Sequence, residues 1–144
     1  MLRDLATVTL VIFLLAFAAM LKTVEKPYLP ASVGNVTITP EYGVVRLRTG
    51  LGELPIYVSR SQAAAIADAL NGTKHFRPTT HDIAAKLAMA SGARALYIEK
   101  LEKGTYYATL ETREGKIDIR PSDGIVICIK IKCPIYVNPA LLKS

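Results

Sequence analysis

The first 22 residues constrain this chain more than any other stretch. Leu5 to Leu21, between Asp4 and Lys22, is a run of 17 residues without a charge, and ten of them are Leu, Ile, Val or Phe. At roughly 0.3–0.6 kcal/mol of favourable transfer each, those ten would favour insertion into hydrocarbon by about 3–6 kcal/mol. As a helix the run reaches roughly 25 Å, short of a hydrocarbon core of about 30 Å, and snorkelling of Arg3 and Lys22 would extend it. The run predicts one N-terminal transmembrane helix over residues 1–22, an uncleaved anchor that would make the protein a single-pass membrane protein. Two other readings compete with it. Ala16-Phe17-Ala18 has the form of a signal-peptide cleavage site, although Ala19, Met20 and Leu21 continue the apolar run past it. A buried core helix would carry a polar face, and here only Thr7 and Thr9 interrupt. Arg3 and the amino terminus on one flank balance Lys22 and Lys26 on the other, so the side of the remaining chain is undecided. The sequons Asn35-Val36-Thr37 and Asn71-Gly72-Thr73 lean it outward.

Beyond the run, composition bounds the function. A chain of 144 residues is one domain's worth and excludes a multi-domain enzyme. Charged residues at 21% argue against disorder, and two cysteines exclude a disulfide scaffold. The net charge is +6, and without residues 1–22 it is still +5, from 16 Lys and Arg against 11 Asp and Glu. The basic character therefore belongs to the folded part and points to anionic partners such as nucleic acid.

Residues 23–35, with Pro27, Pro30 and Gly34, read as a linker to a domain over residues 36–144. Strands are expected over Val36–Thr39, Gly43–Thr49 and Leu54–Val58, the second with Arg46 and Arg48 on one face. A helix opens at Ser61, with Ala65, Ile66, Ala69 and Leu70 inward, and ends at Asn71-Gly72. Thr80 caps a second helix whose apolar stripe is Ile83, Leu87 and Ala90, closed by Gly92. Residues 94–100, 105–112 and 116–120 follow as strands, with Ile117 and Ile119 inward and Asp118 and Arg120 outward. Pro121 suits the first position of a helix, Ile125–Ile131 is a buried helix or strand, and Ile135–Val137 is a last strand. The expected class is α+β, a mixed and mostly antiparallel sheet with two to three helices behind the transmembrane helix.

Three segments then stand out in order: Arg77-Pro78-Thr79-Thr80-His81-Asp82, Gly104-Thr105-Tyr106-Tyr107-Ala108, and Ile117-Asp118-Ile119-Arg120-Pro121-Ser122-Asp123, with Pro134-Ile135-Tyr136-Val137 beyond. Together they resemble the bifunctional nuclease domain family, from about Val44 to Val137. The resemblance implies hydrolysis of DNA and RNA. Two positions depart from the family pattern: Gln62 stands where Glu is usual, and Gly124 where Ala is usual.

The residues in those segments suit phosphodiester chemistry. His81 is a candidate general base or acid, with an unperturbed pKa near neutrality. Asp82, Asp118 and Asp123 are candidate catalytic carboxylates and candidate ligands for Mg²⁺ or Mn²⁺, which would activate water or stabilise the leaving oxygen. Arg77 and Arg120 are candidate phosphate clamps, with Ser122 beside them at a helix start. Structural readings stand next to these: Asp82 and Asp123 also suit helix starts electrostatically, Asp118 and Arg120 suit cross-strand pairing, and His81 suits a capping position. His75 reads as solvent-exposed. Cys128 and Cys133 fit no zinc pattern, and either bond to each other or remain thiols, with a buried thiol favoured at Cys128. Arg46, Arg48, Lys74, Arg77 and Lys86 form either a basic surface for a nucleic-acid backbone or a scattered solvated face. One of Tyr106 and Tyr107 packs and the other is free to stack on a base. There is no Gly-rich phosphate loop, Ser-His-Asp order or H-E-x-x-H motif, which argues against nucleoside triphosphatases, serine hydrolases and zinc peptidases.

The leading expectation is a membrane-anchored nuclease-like protein acting on DNA or RNA. The alternative is a non-catalytic, membrane-tethered module that binds nucleic acid, a phosphorylated ligand or a partner protein. Exposed strand edges allow a homo-oligomer.

Overall fold

The structure is a computed structural model that describes residues 1–22 and 27–143, with side chains for 1–17 and 27–142. The N-terminal run does form a helix, α1 (Leu2–Lys22). Among the described residues, however, no helix is long and apolar enough to cross a membrane. This overturns the expected transmembrane anchor and, with it, the single-pass membrane placement. Four alanines and two threonines dilute the 17 uncharged residues, and Arg3, Asp4 and Lys22 close in on both ends. What remains uncharged is roughly 25 Å long against a core of about 30 Å. The hydroxyls of Thr7 and Thr9 donate back to the carbonyls of Arg3 and Leu5. Nor is α1 a core helix, since residues 1–17 are exposed.

The remaining elements run in the order β1 (Leu29–Ile38), β2 (Gly43–Thr49), β3 (Gly52–Val58), α2 (Arg60–Leu70), α3 (Thr80–Ala90), β4 (Ala95–Glu102), β5 (Thr105–Thr112), β6 (Gly115–Ile119), α4 (Pro121–Ile131), β7 (Ile135–Val137) and a 3-10 turn, Pro139–Lys143. They build an α+β domain on one seven-stranded sheet of order β3-β2-β1-β7-β4-β5-β6. Every neighbouring pair is antiparallel except β4 with β7. The three-residue β7 thus joins an N-terminal half of the sheet to a C-terminal half.

Strand β1 starts at Leu29, inside the stretch that reads as a linker, while residues 23–26 of that stretch lie outside the described residues. A register shift between Val33 and Asn35 explains why the alternation is hidden. The extra residue, Gly34, breaks the two-residue period, and the Arg48 side chain lies across it, 2.7 Å from where a Cβ would be.

Helix α4 is the centre of the core. Its residues Ile125, Val126, Ile127 and Cys128 are all buried and pack with Leu47, Ile66, Leu96 and Ile98. A segment apolar all round is a helix here because the sheet lies on one side of it and α2 and α3 on the other. The sheet curls far around this helix. The Tyr106 hydroxyl of β5 donates to the Pro55 carbonyl of β3 at 3.4 Å, although four strands separate the two in the sheet order.

Helix α3 departs from its expected orientation. Ile83 and Leu87 are 53% and 64% exposed, whereas Ala85 and Ala88 are buried. The inward face is His81, Ala84, Ala85 and Ala88, at the i, i+3, i+4, i+7 spacing of one helix side. Small side chains let α3 approach α4 closely, and that packing outweighs the burial of two larger residues.

The caps also shift. Ser59 caps α2 and Thr79 caps α3, each in a capping box, with Gln62 and Asp82 returning the bond to the cap's backbone N–H. Edge strand β6 leaves Ile117 half exposed rather than inward. Cys128 is buried as expected, but it is not a thiol: it forms a disulfide with Cys133. The bond spans the end of α4, where Lys132 takes a left-handed conformation at φ 59°.

Candidate functional site

The turned α3 decides the geometry of the site. Asp123 and Lys130 are seven apart on α4 and so lie about two turns apart on one face. The first turn of α3 sits across that face. From it, His81 reaches one end and Asp82 the other.

At the first end, the His81 Nε2 lies 3.3 Å from Asp123 Oδ1. The second oxygen of Asp123, Oδ2, accepts from Arg120 Nε at 2.6 Å. This bond raises the Arg120 pKa above its usual value, so the guanidinium stays charged. His81 and Asp123 are part-buried, at 28% and 24% side-chain exposure, whereas Arg120 is 71% exposed. A carboxylate pinned by an arginine fixes the orientation of the imidazole, as second-shell carboxylates do for functional histidines. In the tautomer that donates from Nε2, Nδ1 keeps its lone pair and is free to take a proton.

At the other end, Asp82 is fully engaged by the protein. Its Oδ1 accepts from Lys130 Nζ at 2.7 Å, and its Oδ2 accepts from the Thr79 N–H at 2.7 Å and the Thr79 hydroxyl at 2.8 Å. The Lys130 bond first, and the Thr79 bonds after it, hold this carboxyl well below the usual carboxylate range.

Asp118 is exposed on β6, opposite Thr109 of β5. The three carboxylates do not converge. Among the described residues, no three His, Cys, Asp or Glu side chains lie close enough together to hold a metal ion. Asp82, Asp118 and Asp123 therefore do not form one shared ligand set.

A cleft of about 210 Å³ opens beside Arg120. It is lined by Tyr57, Gln62, Thr105 and Tyr106 together with Pro121 and Ser122 of the α4 start. The curl of the sheet makes this cleft by bringing β3 and β5 together at the same helix end. Ser122 is 4% exposed, and its helix has no side-chain cap. The start of α4 thus forms one wall of the cleft. Gln62 Oε1 accepts from the Ser59 N–H at 2.9 Å, a structural role that Gln and Glu fill alike.

Arg77 is exposed in the loop before α3 and, among the described residues, makes no ion pair. The five candidate basic residues divide between two faces. Arg46 and Arg48 alternate with core residues of β2, and Arg48 pairs with Glu53 at 2.9 Å. Lys74, Arg77 and Lys86 lie on the helical side. Tyr106 is half-buried by its bond to Pro55, and Tyr107 lies under the Lys100 ammonium, 4.9 Å from its ring centroid.

Sequence reasoning missed two contributors. The Ser59-Arg60-Ser61-Gln62 spacing is a legible capping signature. Lys130 has no comparable signal, because it meets Asp82 across 48 residues of chain.

The model of the family described as "Bifunctional nuclease domain" matches residues 44–144. An uncharacterized protein of Mycobacterium tuberculosis, found in two strains, is 40% identical over 104 residues, which is 69% of this chain. The chain spans 63% of the length of those relatives.

Proposed function

Because this chain belongs to the bifunctional nuclease domain family, we propose that it hydrolyses phosphodiester bonds in DNA or RNA at the His81–Asp123–Arg120 cluster. The family match supports a nuclease-like or nucleic-acid-binding function in general. The cluster's geometry carries the finer reading. His81 Nδ1 takes a proton from water as the water oxygen attacks phosphorus. Asp123, hydrogen-bonded at Nε2, stabilises the imidazolium that forms. The N–H groups of Arg120 that do not bind Asp123, and the uncapped α4 start, face the charge that builds on the non-bridging oxygens. The bond from phosphorus to the leaving oxygen breaks, and that oxygen takes a proton from the imidazolium. Ser122 lines the adjoining cleft, and Arg77 offers an exposed charge for a backbone phosphate.

The test is turnover of single-stranded DNA and of RNA by the full chain, with Mg²⁺, with Mn²⁺ and with EDTA. His81→Ala is expected to lower the rate by about 10²- to 10⁴-fold with unchanged circular dichroism. A folded His81→Ala protein that cleaves at the parent rate would overturn the assignment.

A second reading is binding without cleavage. It is favoured by the engagement of Asp82 and Asp123 with the protein's own cations. Salt-dependent binding to nucleic acid with no turnover under any of the three conditions would select it.

A further inference from the structure

The loop between α2 and α3 carries a side chain that the fold does not use. Phe76 is 102% exposed, the most exposed aromatic of the domain. It stands at a groove of about 740 Å³ lined by Lys74, His75, Pro78, Lys86 and Lys130. Of the acids of this groove, Asp82 holds Lys130, and Asp68 lies 3.4 Å from His75 Nε2. Lys74 and Lys86 have no ion pair among the described residues, so the groove presents net positive charge beside a bare aromatic ring.

This groove connects to the candidate site. Asp68, His75 and Lys130 also line a second cavity of about 270 Å³, whose wall includes His81 and Ser61. From His81 the Asp123–Arg120 bonds lead to the cleft at the start of α4. Groove, cavity and cleft together make a path from Phe76 to Tyr106, with Ser61 and Gln62, neighbours at the start of α2, on the cavity and the cleft.

We propose that Phe76 is a base-stacking platform and that the path from it to Arg120 holds a single strand of nucleic acid. The proposal rests on the nucleic-acid reading above and adds its strandedness. An exposed ring flanked by free ammonium groups matches what an unpaired nucleotide offers, a π face and a phosphate. Duplex bases are stacked on one another and have no face left for Phe76.

The experiment is equilibrium binding of the full chain to a fluorescent oligo(dT) and to a blunt duplex of equal length, in EDTA, across a salt series. Phe76→Ala is expected to weaken oligo(dT) binding by about 5- to 150-fold, Phe76→Tyr to restore it, and duplex binding to stay unchanged. Because Phe76→Ala removes no charge, it should leave the salt slope as it was. Lys74→Ala/Lys86→Ala should lower that slope by about 1.4 for the single strand. Phe76 touches no core residue, so the variant keeps its fold. Equal oligo(dT) affinity in Phe76→Ala and parent overturns the platform, and if cleavage still depends on His81 it does so without harming the proposed function. A parent protein that binds neither ligand overturns both.

Discussion

Asp82 and Asp123 each stand third in their helix, yet they are held in different ways. Asp82 accepts three hydrogen bonds from within the protein, whereas Asp123 divides its oxygens between an exposed arginine and a histidine. The first is therefore expected to show in stability and the second in activity. Since folding depresses the Asp82 pKa, its stabilisation is fully present above the unfolded value of about 3.9 and is lost as pH falls below it. In urea melts, Asp82→Asn should be less stable than the parent at pH 6, and the gap should close as pH falls from about 5 towards 2. A gap that does not change with pH would show that the carboxylate charge is not what Asp82 contributes. Read from the sequence, the cap falls at Thr80, one residue late, and Lys130, the partner that matters most, gives no local signal.

Helix packing explains the next level. Gly124 lies where α4 crosses β4, and a Cβ there would come within 2.5 Å of Leu96 Cδ1. Leu96 is fully buried, so its side chain can shift only against neighbouring core atoms. Ala would gain about 0.5–1 kcal/mol of helix preference, against an overpacking cost of about 1–3 kcal/mol. Gly124→Ala should therefore destabilise the protein by about 1 kcal/mol in denaturant titration, and a stabilised variant would contradict the packing described. The glycine at this position thus has a local steric reason. The same crossing shows what a sequence pattern can and cannot give. The apolar run Ile125–Ile131 was legible as buried, because no orientation of it offers a polar face. The orientation of α3 was not, since periodicity weighs residue size and Ile83 and Leu87 outweigh the alanines opposite them. What turns α3 is close contact with α4, and that depends on the partner helix. His81 and Asp123 could be named from the sequence, but their contact depends on this rotation.

At the scale of the molecule, the C-terminal segment closes the structure. The Cys128–Cys133 disulfide fastens α4 to the approach to β7. By the loop-entropy account, a ring this small contributes about 2 kcal/mol. Thermal melts with and without reductant should differ by about that amount, and coincident melts would show that packing alone holds the segment. Strand β7 pairs with β1 through Ala31–Ile135 and with β4 through Leu96–Ile135, so a single residue faces both halves of the sheet. Synthesis runs in the opposite order to this need. A chain emerging from the ribosome has made β1, β2 and β3, then β4, β5 and β6, before the strand between them exists. Until β7 arrives, β1 and β4 each present an open edge, and two half-sheets wait unjoined beside a helix that needs both. Such edges are where strands of other chains add. The arrival of β7 therefore sets how long the nascent protein stays vulnerable to aggregation.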